Sequence, residues 1–245
     1  MALHSYPIIF LDSIDSTNNY AMQKVHAGLA KHGDCCFAHH QTAGRGQRGK
    51  VWQTGENKNI ALTITIKPHS RAGNQFYLSA AIALGCHDFF SKYAGDETKI
   101  KWPNDLYWRD RKAGGILIEN VFQGKSWKWA IAGIGININQ VKFSTELKNP
   151  VSLKQITGKE FDIELLAKAL HKAIMKRVDN LDSTTYKKVL HEYNLHLYKL
   201  HETIKLKKEN MVFSTTLKSV SAHGDLYTKD VLERHFSFGE VEWVI

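Results

Sequence analysis

The residues best suited to chemistry cluster in one stretch, Gly44-Arg45-Gly46-Gln47-Arg48-Gly49-Lys50. Its three glycines let the backbone turn tightly and present N–H groups to a ligand. Its two arginines and its lysine are charge-assisted donors for carboxylate or phosphate oxygens. The stretch therefore suits an anion, while a basic surface hairpin without a ligand explains the loop equally well on its own. Two familiar phosphate motifs are excluded. The string G-x-G-x-x-G needs a helix to open after it, but Val51-Trp52-Gln53-Thr54-Gly55 and then the strand-like Ile60–Ile66 follow. The string G-x-x-x-x-G-K needs a magnesium-binding Ser or Thr next, and Val51 stands there.

Four further groups carry polar chemistry. Lys101-Trp102-Pro103-Asn104-Asp105 ends a strand at a proline, which cannot continue a ladder, and so brings a lysine, an amide and a carboxylate together. Asp105 suits a magnesium ion and Lys101 a phosphate; a tight turn closed by an Asx hydrogen bond is the plainer explanation. Lys112 precedes Gly114 and Gly115, which would let a ligand approach the backbone, although an ordinary hairpin lysine would look the same. Gly133-Ile134-Gly135-Ile136-Asn137-Ile138-Asn139 alternates small or amide residues with isoleucine, as a ligand floor or a site of close strand packing would. Ser16-Thr17-Asn18 sits where a helix should begin. Capping explains Ser16 or Asp15, and the same exposed groups can hold a polar head group.

Interleaved strands and helices position these groups. Strands are expected at Ile8–Leu11, Cys35–His39, Ile60–Ile66, Lys99–Trp102, Gly115–Val121 and Trp127–Ile134, the last two joined by the turn Gln123-Gly124-Lys125-Ser126. Helices are expected from Asp15 to about Ala30, Asn74 to Tyr93, Asp162 to Asn180 and Thr185 to His196. Neighbouring strands read as antiparallel, which gives an α+β class: a mixed, mainly antiparallel sheet with flanking helices. Beyond about Leu195 only short strands remain, which predicts a small β-barrel-like domain at 195–245 behind a catalytic-type domain at 1–194.

Composition narrows the class. No apolar run approaches the roughly 20 residues that span a bilayer, and the N-terminus lacks a secretory pattern. Three cysteines, two of them adjacent, do not make a disulfide framework and fit a reducing cytoplasm. The net charge of +9 favours an acidic partner, but no zinc-ligand spacing, arginine-rich tail or aromatic RNA-binding signature accompanies it. The adjacent His39 and His40 would face opposite sides of a strand and do not form a metal site.

In order and rough spacing, Ser16-Thr17-Asn18, Gly44–Gly49, Lys101–Leu106, Arg111–Glu119 and Gly133–Asn137 together resemble the motifs of biotin protein ligases, over nearly the whole chain. The resemblance implies a fold like that of class II aminoacyl-tRNA synthetases and biotin ligases, with an SH3-like C-terminal barrel. It implies two steps: biotin and ATP give biotinyl-5′-AMP and pyrophosphate, then the acyl group passes to one lysine of a biotin carboxyl carrier domain. Arg45, Arg48, Lys112 and a Mg2+ ion near Asp105 would offset the repulsion between biotin's carboxylate and the α-phosphate. Ser16, Thr17, Asn18 and Gln41 would hold the biotin ring, with Gly44, Arg45, Gly46, Gln47, Lys112 and Gly115 around the rest of biotin. Trp52, Asn104, Asp105, Asn137 and the same cations would serve ATP, and Lys101 would lie near the reacting acyl-phosphate. The glycine loop would be mobile when empty and close over the adenylate.

Several relatives have Arg at the position of Gln47, so one cationic loop contact is absent here. About fifteen residues precede Ser16, too few for a three-helix DNA-binding domain. A monofunctional enzyme, a monomer or homodimer with no DNA and no membrane partner, is the expectation. The competing readings are a lipoate or octanoate transferase, a non-catalytic biotin-binding module and a basic nucleic-acid-binding protein.

Overall fold

A computed structural model describes residues 6–68 and 74–244. Seven strands form the main sheet: β1 (Ile8–Ile14), β2 (Cys35–Gln41), β3 (Asn59–Ile66), β4 (Thr98–Lys101), β5 (Asp105–Trp108), β6 (Arg111–Gln123) and β7 (Ser126–Asn137). Their order is β1-β2-β3-β7-β6-β5-β4. Only β1 and β2 are parallel; every other pairing is antiparallel. The parallel step needs a crossover, and α1 (Thr17–His26) supplies it.

Alternation along β3, buried at all eight positions, sorts the sheet's two faces. Ile60, Leu62, Ile64 and Ile66 join the main core beneath α2 (Gln75–Ala94) and α4 (Ile163–Asp179). The opposite face carries α1, over a small cluster of Ala21, Cys36 and Ile131. Helix α2 is apolar almost all round because it lies between the sheet and α4. A β-carbon on its Gly85 would meet Ile174 Cα at 2.6 Å, so glycine there lets the two helices approach. Asp162 caps α4 by accepting from Glu164 and Leu165 N–H. The loop before it holds a five-residue helix, α3 (Leu153–Thr157), closed by a Ser152–Gln155 capping box.

Helix α5 (Tyr186–Leu195) ends where the composition changes. Five antiparallel strands follow: β8 (Thr203–Lys208), β9 (Met211–Val220), β10 (Leu226–Lys229), β11 (Glu233–Phe236) and β12 (Glu242–Trp243), in the order β11-β10-β9-β8-β12. The ladder does not close, because β11 and β12 are its two ends; a sheet, and not the expected barrel, is what the hydrogen bonds define. This sheet is tied back to the first. Ile100 N–H donates to His196 O, Tyr198 N–H donates to Ile100 O, and Trp102 Nε1 donates to Gly224 O, each at 2.8 Å. Leu206, Leu217 and Leu226 belong to the same buried cluster as the β3 isoleucines.

Candidate active site

One cleft of about 1050 Å3 opens on the α1 face of the main sheet. Its floor is a row of small residues across adjacent strands: Ala61 of β3 pairs with Gly135 of β7, which pairs with Gly115 of β6, which pairs with Asp105 of β5. A β-carbon on Gly135 would meet the Trp52 indole at 2.3 Å, and one on Gly133 would meet Asn18 Oδ1 at 2.1 Å. The alternating glycines therefore admit two side chains that rest against the sheet. Close packing, one of the two alternatives the sequence leaves open, is what these contacts show.

Ser16, Thr17, Asn18 and Gln41 form the polar end of the cleft. Ser16 has the N-cap position of α1, yet its side chain makes no capping bond. Gln41 instead accepts from Thr17 N–H at 2.9 Å and Thr17 Oγ1 at 3.0 Å, so its amide nitrogen is the end left for a ligand. The Thr63 hydroxyl, wholly buried, lies 2.7 Å from Asn18 Oδ1 and 2.8 Å from Thr17 Oγ1. Sequence reading passes over Thr63 because a threonine within an apolar strand looks like a strand former; its inward position, paired with Gly133, was the available signal.

The glycine-rich stretch is a tight hairpin. Arg45 bridges to Val51, Gly46 N–H donates to Lys50 O at 2.7 Å, and Trp52 N–H donates to Gly44 O at 2.9 Å. Gly44 does not line the cleft: it packs beneath the loop, where a β-carbon would strike Trp52 O at 2.3 Å. Arg48 is left-handed (φ 55°) and reaches Gly239 O of the second sheet at 3.4 Å. Gln47 Nε2 donates to Ile116 O at 3.3 Å. Arg45, expected as a cation for the reacting anions, has its guanidinium on the Glu119 carboxylate at 2.7 and 3.1 Å and on Asn19 Oδ1 at 2.9 Å. Glu119 is a second site residue the sequence reading left without a role.

At the other end, Lys112 Nζ lies 2.6 Å from Asp105 Oδ1 and 6.0 Å from the centre of the Trp52 ring. The residue is anchored by its main chain, which exchanges hydrogen bonds with Asn149 O and Val151 N–H. Asn104 Nδ2 donates to Ile116 O at 2.7 Å, and Asn137 Nδ2 to Val151 O at 3.1 Å and Lys112 O at 3.4 Å. Lys101 is almost wholly buried, with its ammonium 4.9 Å from the Tyr107 ring and 5.1 Å from that of Trp243. Burial pushes its pKa down to about 8, against the nearby Asp105 carboxylate and aided by Lys112, Lys50 and Lys148. Among the described residues no group of three or more His, Cys, Asp or Glu side chains is placed to hold a metal. Asp105 alone fits the modest demand of a magnesium ion that keeps most of its contacts with phosphate and water. Phe238, Gly239 and Val241 of the β11–β12 connection and Glu242 and Trp243 of β12 close this end.

The floor, the polar end and the cationic end together suit a ligand with a neutral hydrogen-bonding head and an anionic tail. Comparison with known proteins agrees in kind. The sequence profile of the biotin/lipoate A/B protein ligase family matches residues 10–137. The chain is 31% identical over 175 residues to the biotin–[acetyl-CoA-carboxylase] ligase of Paracoccus denitrificans, covering 69% of this chain and 72% of that one. It is 35% identical over 158 residues to the bifunctional ligase/repressor BirA of Escherichia coli, spanning 48% of that protein's length. In three dimensions it resembles the biotin protein ligase of Aquifex aeolicus in complex with biotin and ATP, with a TM-score of 0.81 and 24% identity over 97% of this chain and 98% of that one.

Proposed function

The chain belongs to the biotin/lipoate A/B protein ligase family, and from that premise we propose that it is an ATP-dependent biotin protein ligase acting on a biotin carboxyl carrier domain. In the first step a biotin carboxylate oxygen attacks the α-phosphorus of ATP, and the bond to pyrophosphate breaks, leaving biotinyl-5′-AMP. In the second, a carrier lysine amine attacks the acyl carbon, AMP leaves, and the amine loses a proton. The observation that carries this reading is the Lys112–Asp105 pair, 2.6 Å apart beneath Trp52, at the opposite end of one floor from Ser16, Thr17 and Gln41.

In this reading the polar end holds the ureido ring, with the Gln41 amide and the Ser16 and Thr17 hydroxyls as partners. The acyl chain lies along the floor beside the Trp52 indole that rests on Gly135, and the Arg45–Gln47 backbone covers it. Lys112 contacts the carboxylate and later the bridging oxygen of the anhydride, where its charge offsets the developing negative charge. Trp52 borders the adenine, Asn137 the phosphate and Arg48 the ATP, while Lys101 lies near the reacting acyl-phosphate. Asn104 and Asp105 serve ATP, and Asp105 would hold a Mg2+ ion, which would supply charge neutralisation. No enzyme nucleophile is needed, because the mixed anhydride is already an activated acyl donor. Residues 1–194 form the catalytic domain, and residues 195–245, which carry the second sheet, complete the nucleotide end.

Biotin-dependent pyrophosphate release with ATP and Mg2+ tests the reading, comparing the parent with Lys112→Ala and adding a carrier acceptor. Release that needs biotin, falls by at least ~100-fold in the variant and labels the carrier is expected. Tight biotin binding without release would make the protein a sensor instead. Preference for lipoate would move it to the sister activity of the family.

A further inference from the structure

We propose that Glu119 is a positioning residue: its carboxylate ties the glycine loop to the start of α1, so that both walls at the polar end of the cleft are held as one piece. The inference takes its ligand, biotin, from the proposed function, while the tie itself stands on the geometry. Glu119 lies on β6, paired with Ile131 of β7, two and four residues beyond Leu117 and Gly115. Alternation puts all three on the α1 face. Both carboxylate oxygens are occupied. Oε1 accepts from Arg45 Nη2 at 2.7 Å, and Oε2 accepts from Arg45 Nη1 at 3.1 Å and from Asn18 Nδ2 at 2.8 Å.

A half-exposed ion pair is ordinarily worth little, and Arg45 is 43% exposed. Two things set this pair apart. The contact is bidentate, which fixes geometry as well as charge. The carboxylate is also shared with Asn18, a buried amide nested on Gly133 and touching Thr63. Displacement of the loop is thereby felt at Asn18, and the reverse. Arg45 is thus a strut of the loop, and the positive charge at the reacting centre is left to Lys112, Arg48 and Lys101.

The loop offers trypsin three sites, Arg45, Arg48 and Lys50, so its order is measurable without any substrate. Glu119→Gln keeps an acceptor for Asn18 and removes the charge that holds Arg45. Without ligand, loop cleavage in this variant should rise about tenfold, with the rest of the chain intact by mass spectrometry. With substrates, KM for biotin should rise about tenfold while kcat stays within about twofold, a split that general destabilisation does not produce. The Arg45→Ala/Glu119→Gln double variant should be no worse than Arg45→Ala alone. Unchanged loop cleavage, or penalties that simply add, would overturn the tie. A parent that shows no biotin-dependent chemistry would sink the ligase reading and still leave the proteolysis result to decide this one.

Discussion

Lys101 shows how far one residue's environment alters its chemistry. With its pKa near 8, it carries its charge below that pH and sheds it above, so its attraction for phosphate should fade as the medium becomes alkaline. KM for ATP is expected to climb severalfold between pH 7 and 9. In Lys101→Arg the rise should vanish, because guanidinium stays charged; an identical rise in both proteins would exclude Lys101 as its source. Gly133→Ala should be costly in a different way. The added methyl would strike Asn18 Oδ1 at 2.1 Å, and either Asn18 or the strand must move, so biotin affinity should fall at least ~10-fold with about 1–3 kcal/mol of stability lost. Calorimetric titration with biotin and urea denaturation would check both figures. At this scale the sequence was informative about residue types and silent about their partners. The identities of Lys112, Asp105 and Gln41 announce polar chemistry, but that Arg45 is committed to Glu119 depends on two strands and a helix meeting.

Elements were legible where periodicity runs long. The apolar α2, the Asp162 cap of α4 and the alternating β6–β7 hairpin all fall within a few residues of their expected bounds. Two short elements were missed: β5, four residues wedged behind Pro103, and α3, a single capped turn. Neither is long enough to display a period, and both depend on neighbours for their hydrogen bonds. The helical layer has a feature of its own. Arg177 of α4 grips Asp88 of α2 at 2.7 and 2.9 Å and also contacts Glu192 of α5, and these carboxylates push its pKa up. Arg177→Met should destabilise the chain by about 1–3 kcal/mol, by leaving two carboxylates facing each other without their cation. Because the clamp lies outside the cleft lining, pyrophosphate release at 25 °C should be unchanged. A urea midpoint equal to that of the parent would show the clamp to be energetically idle.

The whole molecule responds to acid through its buried histidines. His87 Nε2 donates to Thr98 O at 3.1 Å, and His171 Nε2 donates to Gly33 O at 3.0 Å. Burial lowers both pKa values to about 4 from an ordinary 6.5. As pH falls below 6.5 the unfolded chain takes up protons that the folded chain refuses until about pH 4. Stability is therefore full above 6.5 and drains across that interval, by about 3 kcal/mol for each histidine over the whole interval and about 2 kcal/mol by pH 5. Urea midpoints at pH 7.5 and 5.0 should differ accordingly, and His171→Gln should narrow the gap; equal midpoints in the parent would refute it. At this scale the pattern of strands and helices caught the mainly antiparallel α+β arrangement. It left the second unit's place in the site open, because the wall that unit gives the cleft joins residues more than a hundred positions apart. One consequence concerns redesign. Ala61, Gly135 and Gly115 already leave the floor almost no side chain to remove, so a version accepting bulkier acyl groups cannot be carved downward. Its extra room has to come from trimming Trp52, whose indole already rests on Gly135, and the nucleotide contacts assigned to that indole would be surrendered in the exchange.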